Sequence, residues 1–431
     1  MISFPVADNQ PTASISTNLT QVQQLGNSWN SATLKAFASS LSAPPSNANA
    51  GSLTGNRMFY ANDYMVHRGS SYVTTLRMFS TRTLSTECRN SQNPYGFHLS
   101  DGAAYTYLRG NEYEDIAAAW DWNLIPGITT DYGNTPLSCT TTGISNYGLE
   151  KYVGGVSNGT VGIAAMRYTN PLSKSLHFQK TWFFLDNDVQ FVMLNNISSG
   201  SSAPVRTVLD QKRHNGPVYI NGTDQSAILT DANGSAVAFA RGQTLWHSGV
   251  GYALDGTMSS TTLNVRTANQ TGQWSMIGIS TQPPTTVDLF AAYLQHNTLG
   301  AISYSVFPGT TSYQAFATKR SQRNLQTASN TNLITALFDA NYNKAYAVFW
   351  GQSGGSVSFS PGFSIASTTE VAVMYNRATG YLTVSDPSQT ISSVTITVSA
   401  GKTSKSVSFT VPQGGLAGSS LTKRLPCCIY P

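Results

Sequence analysis

The chain has 431 residues, only 10% of them charged, and its 25 Lys and Arg against 20 Asp and Glu leave a formal net charge of +5. Ser, Thr, Asn, Gln and Gly take the place of charge, which is well below the roughly 25% of an average soluble protein. No Lys/Arg run suited to a phosphate backbone and no apolar run of membrane-spanning length occurs, so nucleic acid and membrane are not expected as partners; the mild positive charge favours a polyanion.

The opening MISFPVADNQPTAS has no basic stretch followed by an apolar one, so it does not read as a signal peptide, although the composition suits an extracellular protein. The chain is therefore expected to be a fragment or to start late. Residues 1–55 contain no Arg, His or Tyr. Within them Leu25, Trp29, Leu34, Phe37 and Leu41 fall at spacings for one or two short amphipathic helices, followed by a linker, PPSNANAGSLTGN.

From Asn56 the pattern changes to short runs rich in Tyr, Phe, Val and Thr, broken by Gly, Asn, Asp and Pro. SYVTTLRMFS, VGIAAMRY, SLHFQKTWFFLDNDVQFVML and TVDLFAAYL read as strands, with turns at DGAA, IPGIT, SNGT, DNDV and FPGT. Residues 56–320 predict large antiparallel sheets packed face to face. QAFATKRSQRNLQTASNTN reads as a polar lead into a second unit over 321–411, a small β-sandwich, and 412–431 as a loose tail. KTSKS and LTKR read as solvated turns.

Cys88, Cys139, Cys427 and Cys428 lack paired zinc spacing. Three disulfide pairings can be drawn, and Cys88 with Cys139 is the first to test. Sequons at Asn18, Asn158, Asn196, Asn221, Asn233 and Asn269 arise easily by chance in a chain this rich in Asn, Ser and Thr.

The stretch from Met78 to Gly110 holds the densest chemistry. Arg82, Glu87, Arg89, Asn90, Gln92, Asn93, His98 and Asp101 are interleaved with Tyr95, Phe97, Tyr105 and Tyr107. Amides and guanidinium groups bond sugar hydroxyls and carboxylates while flat rings cover pyranose faces, so the mixture suits a carbohydrate site. A polar turn between strands has equal standing on composition alone. Asp101-Gly102 reads as a turn, Trp182 as core, Trp120 and Trp122 as core or sugar platform, and His67 and His98 as structural histidines more than as a general base.

The order of blocks resembles polysaccharide lyase family 8, the hyaluronate, chondroitin AC and xanthan lyases. The blocks are NDYMVHRG at Asn62, MFSTRTLSTE at Met78, NSQNPYGFHLSDGAAYTY at Asn90, LIPGITTD at Leu124, HFQKTWFFLDNDV at His177, VLDQKR at Val208, ISYSVFPG at Ile302 and YLTVSDPSQ at Tyr381. The resemblance implies a mainly β fold, a large antiparallel super-sandwich followed by a small C-terminal β-sandwich with a short helical N-terminal remnant. It also implies β-elimination on uronate-containing acidic polysaccharide, with no cofactor or metal required.

The family's principal Asn, His and Tyr lie on an N-terminal helical toroid, so the chain is expected to be inactive without one. Glu87 then takes a supporting catalytic role, and Arg82, Asn90, Gln92, Asn93 and His98 bind substrate. Gln92 stands where relatives often carry glutamate. A carbohydrate-binding module without turnover is the competing reading. A sandwich hydrolase ranks last, because Glu87 has no evident second carboxylate. A secreted monomer is expected.

Overall fold

The computed structural model describes residues 18–41, 48–49, 53–85, 93–137, 146–257, 259–278, 280–360 and 362–425. Helices Leu19–Ser28 and Ala32–Leu41 pack on each other. Asn18 caps the first, its Oδ1 accepting from the Gln21 amide at 3.1 Å. Leu25 and Trp29 on the expected apolar stripe stay 42% and 68% exposed. None of the described helices is long and apolar enough to cross a membrane.

Among the described residues the strands form five antiparallel sheets. Gly55–Phe59, Tyr64–Arg68, Val73–Arg77 and Ala103–Tyr107 make a four-stranded sheet. Thr129–Asp131, Val205–Arg213, Thr285–His296, Thr261–Gly272 and Val237–Phe239 make a five-stranded one, in that spatial order. A nine-stranded sheet carries Val153–Ser157, Gly162–Thr169, Leu176–Leu185 and Val189–Ser199 side by side, then Ile302–Pro308 and Val250–Ala253.

The nine-stranded sheet is covered on both faces, and this explains its sequence. Phe178, Trp182, Phe184 and Leu194 enter one core with Met65, Leu263, Phe290 and Tyr304. Their neighbours Phe183, Phe191 and Met193 point the other way and meet Tyr346, Trp350 and Met374 of the C-terminal sandwich. A strand buried on both sides has no solvent face to alternate with, so nine of the ten residues of LHFQKTWFFL are buried, Gln179, Lys180 and Thr181 among them, and its end, WFFL, is an unbroken apolar run. Asn187 and Asp188, at φ of 58° and 52°, supply the left-handed turn between its two long strands.

The C-terminal unit packs a six-stranded sheet on a four-stranded one around Phe338, Phe349, Phe363, Val373 and Ile396. Expectations for two segments are corrected here, and KTSKS, expected as a turn, instead enters the strand Thr403–Thr410. The segment expected as a loose tail contributes a strand, Leu421–Arg424, that pairs with Tyr381–Ser385, so LTKR is not a turn. Its side chains lie on an edge where Thr422, Lys423 and Arg424 stay exposed, which hides it from an apolar reading. The polar lead into this unit contains a helix, Tyr313–Ser321, capped by Ser312 Oγ accepting from the Ala315 amide at 3.1 Å. Phe316 is its one fully buried anchor, so no amphipathic stripe marks it.

The Asp101-Gly102 turn is confirmed, with a reason. Gly102 has φ of 87°, and a Cβ there would lie 2.9 Å from the Trp182 ring. Gly102→Ala combines a strained backbone with a clash against a core indole, so we expect a loss of about 2 kcal/mol in urea unfolding. An unchanged midpoint would remove the close approach from the account.

Candidate functional site

The stretch after Met78 is held from behind by one buried carboxylate. Asp63, fully buried and at φ of 49°, accepts from Ser80 Oγ and Thr83 Oγ1, each at 2.6 Å, and from Arg82 Nη2 at 3.0 Å. The Arg82 guanidinium also donates to the carbonyls of Lys151 at 2.8 Å, Val153 at 2.6 Å, and Pro387 and Ser388 at 3.3 Å. It therefore ties the Met78–Ser85 segment to the nine-stranded sheet and to the C-terminal sandwich at once. NDYM gave no sign that Asp63 would be the centre of this knot, because its partners lie well along the chain.

The described residues on either side of 86–92 are pinned at both ends. Ser85 N donates to Asn146 O at 3.1 Å, Leu84 bridges Tyr147, and Ser85 Oγ reaches Gly96 O at 3.4 Å. Glu87, Asn90 and Gln92 lie outside the described residues, as do all four cysteines and with them the disulfide question. Asn93 is buried, its Oδ1 accepting from the Tyr95 amide at 3.1 Å in an Asx turn that opens the 3-10 turn Gly96–Ser100.

His98 sits in that turn, 1% exposed, with Nδ1 2.7 Å from Asp101 Oδ2. The same oxygen accepts from the Tyr168 hydroxyl at 2.9 Å, and burial and Asp101 together push that hydroxyl well above the ordinary tyrosine value. Among the described residues, His98 Nε2 and Asp101 Oδ1 are buried without partners. Arg82 and His98 thus precede and follow Glu87 in the chain, each engaged by a buried aspartate.

Aromatic rings pack one on the next from Tyr95 onward. Tyr95 lies 6.5 Å from Trp122, Trp122 packs edge-on to Trp120 at 5.6 Å, and Trp120 stacks on Tyr105 at 6.2 Å. Trp120 and Trp122 are 6% and 5% exposed, so they are core. Gln211 holds this segment, accepting from Asp121 N and donating to Asp121 O and Leu124 O, each at 3.0 Å. Trp182 is core as expected, and His67 stacks on Phe184 at 5.3 Å with burial pushing it down to about 4. Arg68 pairs with Asn49 Oδ1 through Nη2 at 2.6 Å, and His214 with Asp288 at 2.9 Å. Among the described residues no three His, Cys, Asp or Glu side chains come together as a cation site requires.

Comparison with known proteins places this architecture. The profile of the polysaccharide lyase family 8 super-sandwich domain matches residues 54–320, and that of the family's C-terminal beta-sandwich domain matches residues 328–395. A chondroitinase-AC of Pedobacter heparinus is 30% identical over 379 residues, covering 85% of this chain and 51% of its own length. A hyaluronate lyase of Enterococcus faecalis is 24% identical over 377 residues, 80% of this chain and 35% of its own. A chondroitinase AC lyase solved with oligosaccharides superposes with a TM-score of 0.80 at 24% identity, over 95% of this chain and 60% of that one. The chain spans about half the length of the chondroitinase relative and about a third of the hyaluronate lyase. On the family profile matched over most of its length, the chain belongs to polysaccharide lyase family 8.

Proposed function

We propose that the chain is the β-sandwich part of a lyase that cleaves uronate-containing acidic polysaccharide outside the cell, working with an α-helical domain that carries the base. The observation supporting this is the family match across residues 54–320, which contain Glu87 together with Arg82 and His98. In β-elimination a base takes the proton from C5 beside a neutralised carboxylate. The electron pair forms the C4–C5 double bond, the C4–O bond breaks, and the leaving oxygen takes a proton.

The segment before Asn56 offers no His or Tyr for that proton transfer. Glu87 orients the group that does it or bonds a sugar hydroxyl, while Asn90 and Gln92 bond the sugar; Asn93, buried with its Oδ1 on the Tyr95 amide, acts as a positioning residue and not as the sugar ligand expected from the sequence. Arg82 and His98 act as positioning residues, since each is already committed to an aspartate.

The test follows ultraviolet absorbance of the unsaturated product from hyaluronan and chondroitin, with residues 1–431 alone and mixed with the helical domain of a family member. Turnover is expected in the mixture only, and Glu87→Ala should lower kcat/KM there at least tenfold with the fold intact. Turnover by this chain alone would overturn the division of labour, and binding without turnover in either form would favour a binding module.

A further inference from the structure

The five-stranded sheet buries Leu263, Phe290 and Leu294 in the main core. Alternation sends their neighbours to the opposite face. There the register sets Thr262, Gln295, Arg206 and Thr130 in one row across four strands, with Asn264 and Tyr293 in the next row. The Arg206 guanidinium lies between two rings, 3.7 Å from the Tyr132 centroid and 4.5 Å from that of Tyr293.

Arg206 differs from the other braced arginines. Arg82 is saturated by acceptors, and Arg320 and Arg323 hold aspartates at 2.6 and 2.5 Å. Arg206 is half-buried, its Nε has no hydrogen-bond partner among the described residues, and its plane is fixed by rings alone. With Nε buried, a guanidinium held flat in this way keeps its two terminal nitrogens as donors for an incoming anion.

The surroundings are built. Tyr132 donates its hydroxyl to Asp121 Oδ2 at 2.7 Å, and burial and that bond push it up to about 12 against the opposing charges of Arg206 and Arg266. Asp121, which Tyr132 bonds, lines with Arg266, Gln270 and Trp120 a cleft of about 450 Å³ beside the Arg206 stack, a volume suited to one or two sugar units. Gln270 is oriented so that its oxygen accepts from Arg266 Nη2 and its nitrogen donates to Ala119 O, both at 2.7 Å. Uncharged Gln295, Asn264 and Thr262 border the two arginines, as hydroxyl recognition requires.

We propose that this face is a binding subsite for the anionic group of an acidic sugar residue, Arg206 and Arg266 pairing its carboxylate or sulfate and the Tyr132 ring covering the sugar. The ligand's class rests on the polysaccharide reading above; the geometry does not.

The test is binding of the full chain to end-labelled octasaccharides: hyaluronan, bearing carboxylates only; carboxyl-reduced chondroitin sulfate, bearing sulfates only; and carboxyl-reduced hyaluronan, bearing neither. Either anionic probe should bind at least tenfold tighter than the neutral one, and the preferred probe identifies the group recognised. Arg206→Met should weaken that binding at least tenfold, Arg206→Lys less, and Arg266→Ala several-fold.

Equal binding of the neutral probe, no binding of either anionic probe, or unchanged binding in Arg206→Met would overturn the subsite. Should Arg206→Met not fold, unchanged binding in both Arg206→Lys and Arg266→Ala does so. Because turnover is not read, the two proposals separate. Arg206-dependent binding without elimination in the reconstituted pair keeps the subsite and removes the lyase. Elimination with Arg206-independent binding does the reverse.

Discussion

Arg82→Ala is expected to lower the stability of the folded chain by about 3–5 kcal/mol, the cost of leaving a buried charge without its partner. Asp63 is fully buried and would keep only its bonds from Ser80 and Thr83, two neutral hydroxyls. The loss is also distributed. Lys151 and Val153 precede or enter the nine-stranded sheet, whereas Pro387 and Ser388 belong to the C-terminal sandwich, so one guanidinium spans both bodies. Arg82→Lys keeps the charge beside Asp63, yet one ammonium cannot meet five acceptors in a plane, so an intermediate loss is expected. Urea unfolding followed by tryptophan fluorescence checks this, with Asp63→Asn as the companion variant. A change under about 1 kcal/mol for Arg82→Ala would show that the brace is ornamental, and the arginine would again be available to substrate.

That outcome bears on how far the sequence could be read. The long strands were legible because their apolar runs have turns at Asp101, Asp186 and Pro308, and the block order carried the family. Tyr313–Ser321 and Leu421–Arg424 were not, since one buries a single ring fully and the other lies at an exposed edge. The candidate site was legible as a stretch, but not in its roles. Arg82, beside Glu87 in sequence, turns away to carbonyls that are distant along the chain, and His98 folds back on Asp101. Arg206 gave no signal because its significance lies in Tyr132 and Tyr293, which only sheet register brings to either side of it. Short-range spacing reports which groups travel together; the direction of a side chain is set by packing that local sequence does not contain.

The Lys180→Met variant should be more stable than the wild type at pH 7 and less stable at pH 10. Lys180 sits mid-strand in the main core, fully buried, where Nζ donates to Gly127 O at 2.6 Å and Thr129 Oγ1 at 3.2 Å and lies 5.2 Å from the Trp182 ring centroid. Thr129 leads on through Thr207 to His296 at 3.1 and 2.9 Å, and His296 is itself held down to about 4 by burial and then by the lysine's charge. Desolvation, with no ionic partner among the described residues, pushes Lys180 from 10.5 to about 7. The sign follows from proton counting: between these values the unfolded chain holds a proton that the folded chain has released, so stability rises with pH across that window. Below pH 7 both states hold it and the full penalty applies, roughly 5 kcal/mol at about 1.4 kcal/mol for each step between 10.5 and 7. Methionine removes that penalty but orphans Gly127 O, costing about 1–3 kcal/mol at every pH. The net gain near neutrality is therefore roughly 2–4 kcal/mol, and near pH 10, where most of the wild-type penalty has gone, the orphaned carbonyl dominates. Buried tyrosines such as Tyr113 and Tyr252, whose hydroxyls burial holds up, begin to cost stability above pH 10 in both proteins and so do not create the crossing. Paired urea titrations from pH 7 to pH 10 measure it, and parallel curves would mean that Lys180 keeps its proton through the whole range.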